Sequence, residues 1–202
     1  MDFSNEAKPH LRMLRERTGE TVHLAILDQA SIIYIHNLES RQIVRMTSDV
    51  GVRKSVHCTA EGKALLAFQP AEEIDRIIDL GLRGCTPKTI TGPAALRQEL
   101  AGVRAKGYAI DDEESEPGLR CIAAPVRDHY GNVKAAVSVA GPGQRLTKKV
   151  LLSFATDLMA AANAISQRLG YQPSPAAPAK RRQSATNSTS PELAVAYPAG
   201  SK

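Results

Sequence analysis

The sequence predicts an α+β domain with a mixed, largely antiparallel sheet. Hairpin-like runs of β-branched residues lie towards both ends of the chain, and three segments with helical apolar spacing lie between them. A further helical pattern flanks each end of this arrangement. The expected order of elements is therefore one helix, three strands, three helices, three strands and a final helix.

The N-terminal segments predict one helix followed by strands. Residues 4–17 hold two leucines among many charges, which indicates a short amphipathic helix. The segments 21–27 and 32–38 are rich in β-branched residues and flank a polar tetrapeptide, so they predict a hairpin. Residues 41–46 continue as a predicted third strand, and a basic loop is predicted at 51–54.

Start and stop residues mark three helices in the middle of the chain. Thr59 can cap a helix that runs to about Phe68, because its hydroxyl can accept a hydrogen bond from a free backbone N–H group. Pro70 is expected to begin the second helix. Pro93 is expected to begin the third, which should end at Gly107.

Strands are predicted again in the C-terminal half, at 108–111, 119–127 and 133–140. Thr147 is expected to cap a long final helix that ends at about Gly170. The apolar residues of that segment recur every three or four positions, which is typical of a helix with one buried face.

The composition excludes several classes of protein. Hydrophobic residues make up 43% of the 202 residues, which is enough for a packed core. No apolar run approaches the roughly 20 residues of a membrane span, and the first ten residues lack the apolar stretch of a secretory signal. Three scattered cysteines (Cys58, Cys85 and Cys121) are too few for a disulfide framework or a finger-type zinc site, so a cytoplasmic location is expected.

Residues 172–202 differ in composition from the rest of the chain. They hold 5 of the 12 prolines and a net charge of +3, with no helical or strand period. We expect a disordered basic tail, because so little apolar surface cannot offset the entropy of ordering. The basic triplet at 180–182 has two interpretations, a solvated charge run or a weak contact with nucleic acid.

Several local features leave alternatives open. Cys58, at a predicted helix start, has either a lowered thiol pKa or the role of a small buried residue at a junction. The acidic run 111–114 with Glu116 is a solvated loop, a loop with one inward carboxylate, or a hard-cation site. His23 and His36 lie in apolar strands and are expected to be packed or rim residues.

The hairpin 119–140 predicts one face with small, weakly polar side chains. A four-residue loop at 128–131 would place Cys121 opposite Ser138. The same register places Leu119 opposite Ala140, on the same face. Such a face leaves room for a small polar ligand, although a core that merely includes a cysteine and a serine is the alternative. A slip of one residue would exchange the two faces.

Several segments resemble the IclR-type transcriptional regulators. They are 51–67, which contains VHCTAEGKALLA, then 107–114, 118–126 and 138–147, and they occur in the order and spacing of that family. The resemblance extends from about residue 6 to residue 170.

The resemblance implies a C-terminal effector-binding domain of GAF-like fold, with a curved, mainly antiparallel sheet of about six strands flanked by helices. Such domains bind a small metabolite, often a carboxylate or an aromatic acid, and alter DNA binding by an N-terminal helix-turn-helix. Homodimers or dimers of dimers are common. Because no helix-turn-helix precedes residue 6, DNA binding is expected only through a domain missing from this chain. We predict a linker helix at 1–18, an effector-binding domain at 19–171 and the tail at 172–202.

The resemblance also implies the residues of an effector site. Ala60 and Glu61 would lie at the start of a helix beside the ligand. Lys54 stands where some relatives have an apolar residue, and Ala140 stands where some have a second serine. The expected polar partners are Asp111, Cys121 and Ser138, and the expected apolar wall is Ile43, Met46 and Leu119.

Two other functions remain as alternatives to a ligand sensor without catalysis or cofactor. GAF-like domains include thiol enzymes of the methionine sulfoxide reductase type, and Cys58 with Cys121 would be the reacting pair. A zinc-binding sensor would use those two cysteines together with His57 and Asp111. No membrane partner is expected for any of these functions.

Overall fold

The computed structural model describes residues 3–172 of the chain. The predicted tail, apart from residue 172, and its basic triplet at 180–182 therefore lie outside the described residues. The elements are helix α1 (Phe3–Thr18), strands β1 (Thr21–Asp28), β2 (Ser31–Leu38) and β3 (Arg53–Ser55), helices α2 (Ala60–Leu66), α3 (Ala71–Asp79) and α4 (Pro93–Lys106), strands β4 (Ala109–Asp112), β5 (Leu119–Arg127) and β6 (Val133–Pro142), and helix α5 (Lys148–Arg168).

All six strands form one curled antiparallel sheet in the order β3-β2-β1-β6-β5-β4. The α+β prediction is confirmed, with helices on both faces of the sheet. Thr59 and Thr147 cap α2 and α5, as their positions in the sequence predict. Gly107 ends α4 in the left-handed region at a φ of 81°, which glycine adopts without strain.

The predicted third strand at 41–46 is wrong. Those residues form an irregular segment, and the third strand is β3, which overlaps the end of the predicted basic loop. Ile43 is 96% exposed, so burial does not stabilise an extended strand there. The segment is held instead by single hydrogen bonds, such as that from Thr21 Oγ1 to the carbonyl of Met46 at 2.9 Å.

The predicted register of the β5–β6 hairpin is also wrong, by two residues. Cys121 pairs with Ala140 rather than with Ser138, and Leu119 pairs with Pro142. The loop at 128–132 is one residue longer than predicted, and a bulge between Val126 and Arg127 adds a second residue, so the register moves by two. Because the shift is an even number of residues, every side chain keeps its predicted face.

Two apolar clusters pack on the two faces of the sheet. Helices α1 and α5 cover one face, where Leu11 and Leu14 of the predicted linker helix are fully buried. Helices α2, α3 and α4 cover the other, where small strand residues let α2 approach closely. Among the described residues, none of the helices has the length and apolar character needed to cross a membrane. The small residues on the α2 side of β5 and β6 are Cys121, Ala123, Ala136, Ser138 and Ala140.

Helix α2 is buried along its whole length, including its charged residues. Its start is tied to the chain before it, because Thr59 Oγ1 accepts from the Gly62 amide at 3.2 Å and donates to the Ser55 carbonyl at 3.0 Å. Gly62 lies so close to this segment that a Cβ atom would stand 2.0 Å from the carbonyl oxygen of Val56. The position of α2 therefore requires glycine at residue 62.

Lys63 has no exposed surface and forms a buried ion network. Its ammonium lies 2.5 Å from Glu114 Oε1 and 3.2 Å from Glu99 Oε1. Glu114 Oε2 is buried without a hydrogen-bond partner. Burial raises the pKa of Glu114 to about 7, against the lowering effect of Lys63 and with a further rise from the nearby Asp111 carboxyl.

We expect Gly62→Ala to lower the free energy of unfolding by about 2–4 kcal/mol, because the new methyl group would collide with backbone. The measurement is urea unfolding followed by circular dichroism. Gly102→Ala is the matched control, since the nearest atom to its Cβ would be the end of the flexible Lys106 side chain, at 4.0 Å. That change should stabilise α4 by up to about 1 kcal/mol. Equal effects of the two substitutions would contradict the close packing of α2.

We expect Glu114→Gln to remove a pH-dependent loss of stability. Between the ordinary pKa of 4.5 and the raised value of about 7, the folded state keeps a proton that the unfolded chain has released. Stability contributed by this group is therefore present below pH 4.5 and is lost as pH rises through 7. The free energy of unfolding, measured in urea, should change between pH 5 and pH 8 by about 2 kcal/mol less in the variant than in the wild type. Glu72→Gln, at an exposed position, should change its free energy of unfolding between the two pH values as the wild type does. The same wild-type change in Glu114→Gln would refute the raised pKa of Glu114.

Candidate functional site

A small inner cavity lies between the start of α2 and the sheet. Its volume is about 10 Å³, which is room for about one water molecule. The walls come from strands in both halves of the sheet and from the acidic turn after β4. The lining residues are Tyr34, Met46, Lys54, Thr59, Glu61, Asp111, Ser115, Leu119, Cys121 and Ala140.

Glu61, in the first turn of α2, is the most unusual residue of this cavity. Its side chain is 2% exposed, and Ser138 Oγ donates to its Oε1 at 2.5 Å. Cys121 Sγ donates to the same oxygen at 3.6 Å. Burial raises the pKa of Glu61, and the two donated hydrogen bonds oppose that rise only in part.

Asp111, near the end of β4, is one of two buried carboxylates of the acidic run, the other being Glu114. Its Oδ1 accepts from the Glu114 amide at 2.7 Å, and its Oδ2 accepts from Ser115 Oγ at 2.5 Å. Burial raises the pKa of Asp111, although these hydrogen bonds and Lys63 act in the other direction. Of the three interpretations of the acidic run, the structure is nearest to the loop with one inward carboxylate, but it buries two, because Glu114 also points inward, towards Lys63.

His23 lies behind the cavity, and the sequence reasoning did not place it there. It is fully buried, pairs with Ser138 across the β1–β6 ladder and stacks on Tyr34 at 4.5 Å between ring centroids. Burial lowers the pKa of His23 to about 3, so its ring is neutral. The available signal was the alternation of β1, which puts Thr21, His23 and Ala25 on one face.

A hydrogen-bonded chain runs from Glu61 through this histidine to the segment 39–52. Ser138 Oγ donates its single hydrogen to Glu61, so it can only accept from His23 Nδ1, which lies 3.5 Å away. His23 therefore carries its ring hydrogen on Nδ1. His23 Nε2 is then the acceptor for Ser48 Oγ at 2.8 Å. The inner cavity and the segment that holds Ser48 are therefore linked by polar contacts.

An outer cleft of about 570 Å³ opens beside the inner cavity. Three side chains line both the outer cleft and the inner cavity and therefore separate the two: Met46, Lys54 and Leu119. Lys54 Nζ lies 3.6 Å from Glu116 at the mouth. The cleft is bounded by residues 45–49 on one side and 116–119 on the other. It is large enough for the body of a small metabolite.

The structure brings together most of the residues that the family resemblance implies. Seven of the ten line the inner cavity, and Ser138 reaches it through Glu61. Ala60 is buried at the start of α2 without lining the cavity. Ile43 lies outside the cluster, on the exposed segment. The seven lining residues are Met46, Lys54, Glu61, Asp111, Leu119, Cys121 and Ala140.

The contacts of the cysteines do not favour the two alternative functions. Cys58 Sγ contacts Cys85 Sγ at 3.7 Å, whereas Cys121 contacts Glu61. Burial raises the pKa of the Cys58 thiol, which is the opposite of what a reactive thiolate needs. His57 faces the Arg83 carbonyl at 3.0 Å. Within residues 3–172, no three His, Cys, Asp or Glu side chains gather as metal ligands, so the zinc alternative has no geometric support.

Comparison with known proteins places this fold and cavity in one family. The family model described as "Bacterial transcriptional regulator IclR C-terminal" matches residues 1–167. The chain is 40% identical over 176 residues to the HTH-type transcriptional regulator KdgR of Escherichia coli (strain K12), covering 87% of this chain and 67% of that protein. It is 38% identical over 161 residues to the HTH-type transcriptional regulator BhcR of Paracoccus denitrificans (strain Pd 1222), covering 79% and 58%.

A solved structure agrees with this assignment. The crystal structure of the C-terminal domain of E. coli KdgR matches with a TM-score of 0.76 and 39% identity, covering 85% of this chain and 100% of that one. The chain spans only 67% of the length of KdgR and 58% of the length of BhcR. The chain thus belongs to the IclR family of bacterial transcriptional regulators and corresponds to the family's C-terminal domain.

Proposed function

We propose that this chain is the effector-binding part of a transcriptional regulator, and that it binds a small polar metabolite without transforming it. The observation that carries the proposal is the inner cavity with its hydrogen-bonded carboxyl, which is separated from the larger cleft by three shared side chains. An apolar wall with a few fixed polar groups is typical of small-molecule sites. The relatives named above are HTH-type transcriptional regulators, which supports a role in controlling DNA binding.

Ligand binding would act by stabilising one arrangement of the cleft walls. A ligand in the cleft would contact both Met46 and Leu119, which belong to opposite walls. The His23–Ser48 hydrogen bond joins one of these walls to the cavity. A ligand shifts DNA affinity only by its difference in affinity for two states of the protein, typically about 1–3 kcal/mol. The DNA-binding domain and a homodimeric or dimer-of-dimers assembly belong to this proposal as well.

We expect Leu119→Ala to weaken ligand binding by about 5- to 30-fold, because apolar contact worth about 1–2 kcal/mol is lost from the wall. The measurement begins with a thermal-shift screen of small carboxylates, aromatic acids, amides and amines on the whole chain. A compound that binds the folded state raises the melting temperature. Its dissociation constant is then compared between the wild type and the variant by calorimetry.

Leu152→Ala is the matched control for this experiment. Leu152 lies on α5, which covers the opposite face of the sheet, and it is 48% exposed. The same change there should leave ligand affinity unaltered. Compounds that bind equally well to Leu119→Ala, or a screen in which no compound raises the melting temperature, would count against the proposed function.

A further inference from the structure

The donors at the inner end of the cavity are already occupied by a carboxyl group of the chain itself. Ser138 Oγ and Cys121 Sγ both donate to Glu61 Oε1, at 2.5 and 3.6 Å. All three side chains are buried, so water does not compete for these contacts. A ligand carboxylate would have to displace a group of its own chemistry from these two donors.

The remaining groups around Glu61 also disfavour an anion. Asp111 adds a second carboxyl to the lining, and His23 behind Glu61 is a neutral ring. Lys54 is the one cation among the described residues that line the cavity, and it lies at the mouth beside Glu116. An anionic head group at the inner end would therefore face two acidic side chains in a poorly solvated space.

Glu61 keeps one acceptor for a ligand. Both side-chain donors use Oε1, and the backbone N–H of Glu61 itself also interacts with the carboxyl; within residues 3–172, no hydrogen bond from another residue to Oε2 is formed. The two oxygens of Asp111, by contrast, are taken by the turn that follows β4. Glu61 lines the cavity, and a buried carboxyl with remaining acceptor capacity is completed by a group that donates hydrogen bonds.

We propose that Glu61 determines the specificity of this site, and that it selects a ligand whose head group donates hydrogen bonds, such as an amine, amidine or amide, over a ligand that ends in a carboxylate. This inference rests on the proposed function, since it assigns a ligand class to the same cavity. It replaces the carboxylate or aromatic acid that the family resemblance implies. Met46 and Leu119 would contact the apolar body of the ligand in the outer cleft.

Benzamidine, benzamide and benzoate are the probes that test this proposal. They share one flat ring and differ only in the head group. Benzamidine has a cationic group that donates hydrogen bonds, benzamide a neutral group that donates and accepts them, and benzoate an anionic group that accepts them. Binding of each is measured by calorimetry to the wild type and to Glu61→Gln. We expect the wild type to bind benzamidine about tenfold or more tighter than benzoate, and Glu61→Gln to reduce that ratio by about tenfold.

Two controls separate this effect from general charge and from misfolding. Glu72→Gln makes the same charge change at an exposed position of α3 and should leave the ratio as in the wild type. Far-UV circular dichroism and the melting temperature of Glu61→Gln check its fold. If this variant does not fold, the ranking of the three probes by the wild type alone still decides the question.

The outcomes distinguish this inference from the proposed function. Tighter wild-type binding of benzoate than of benzamidine, weakened by Leu119→Ala, would overturn the role of Glu61 and leave a ligand sensor in place. An unchanged ratio in a folded Glu61→Gln would do the same. If neither these probes nor any compound of the screen binds in a way that Leu119→Ala weakens, the inference and the proposed function both fail.

Discussion

The close approach of α2 to the sheet is the constraint on which the site depends. The strands beneath the helix present small side chains such as Ala123 and Ala136, and on the side of the preceding chain the Val56 carbonyl leaves residue 62 no room for a Cβ atom. Helix α2 is therefore buried on all sides, and the side chains of Glu61 and Lys63 must both end inside the protein. A helix held further from the sheet would leave those charges in water and would leave no enclosed cavity.

The two buried charges of α2 meet different surroundings. Lys63 is placed among the carboxyls of Glu114 and Glu99, so the cost of its burial is offset by ion pairs. Glu61 meets hydroxyl, thiol and neutral imidazole groups and no cation. Its raised pKa follows from that difference, because burial without a cation disfavours the charged carboxylate. One short helix thus supplies both a structural ion network and the polar end of the proposed ligand site.

The same arrangement explains how the proposed site could report on a ligand. The walls of the outer cleft come from the irregular segment 39–52 and from the residues around 116–119, which are far apart in sequence. Hydrogen bonds from Ser48 to His23 and from Thr21 to the Met46 carbonyl tie the first wall to β1. A group that binds between the walls changes the balance of these contacts, and no bond in the ligand has to break.

Much of this protein was determined by local sequence. Thr59 and Thr147 mark helix starts, Gly107 marks a helix end, and alternation in β5 and β6 assigns each side chain to a face, because capping and periodicity depend on neighbours in the chain. The family resemblance rests on segments such as 51–67, and seven of the ten residues that it implies line the inner cavity. Tertiary structure alone decided the two-residue register shift, the position of β3, the exposure of Ile43 and the contacts of Glu61. Each of these depends on bulges, burial and partners from distant segments, and the free energy of such contacts is not encoded in any short stretch of sequence.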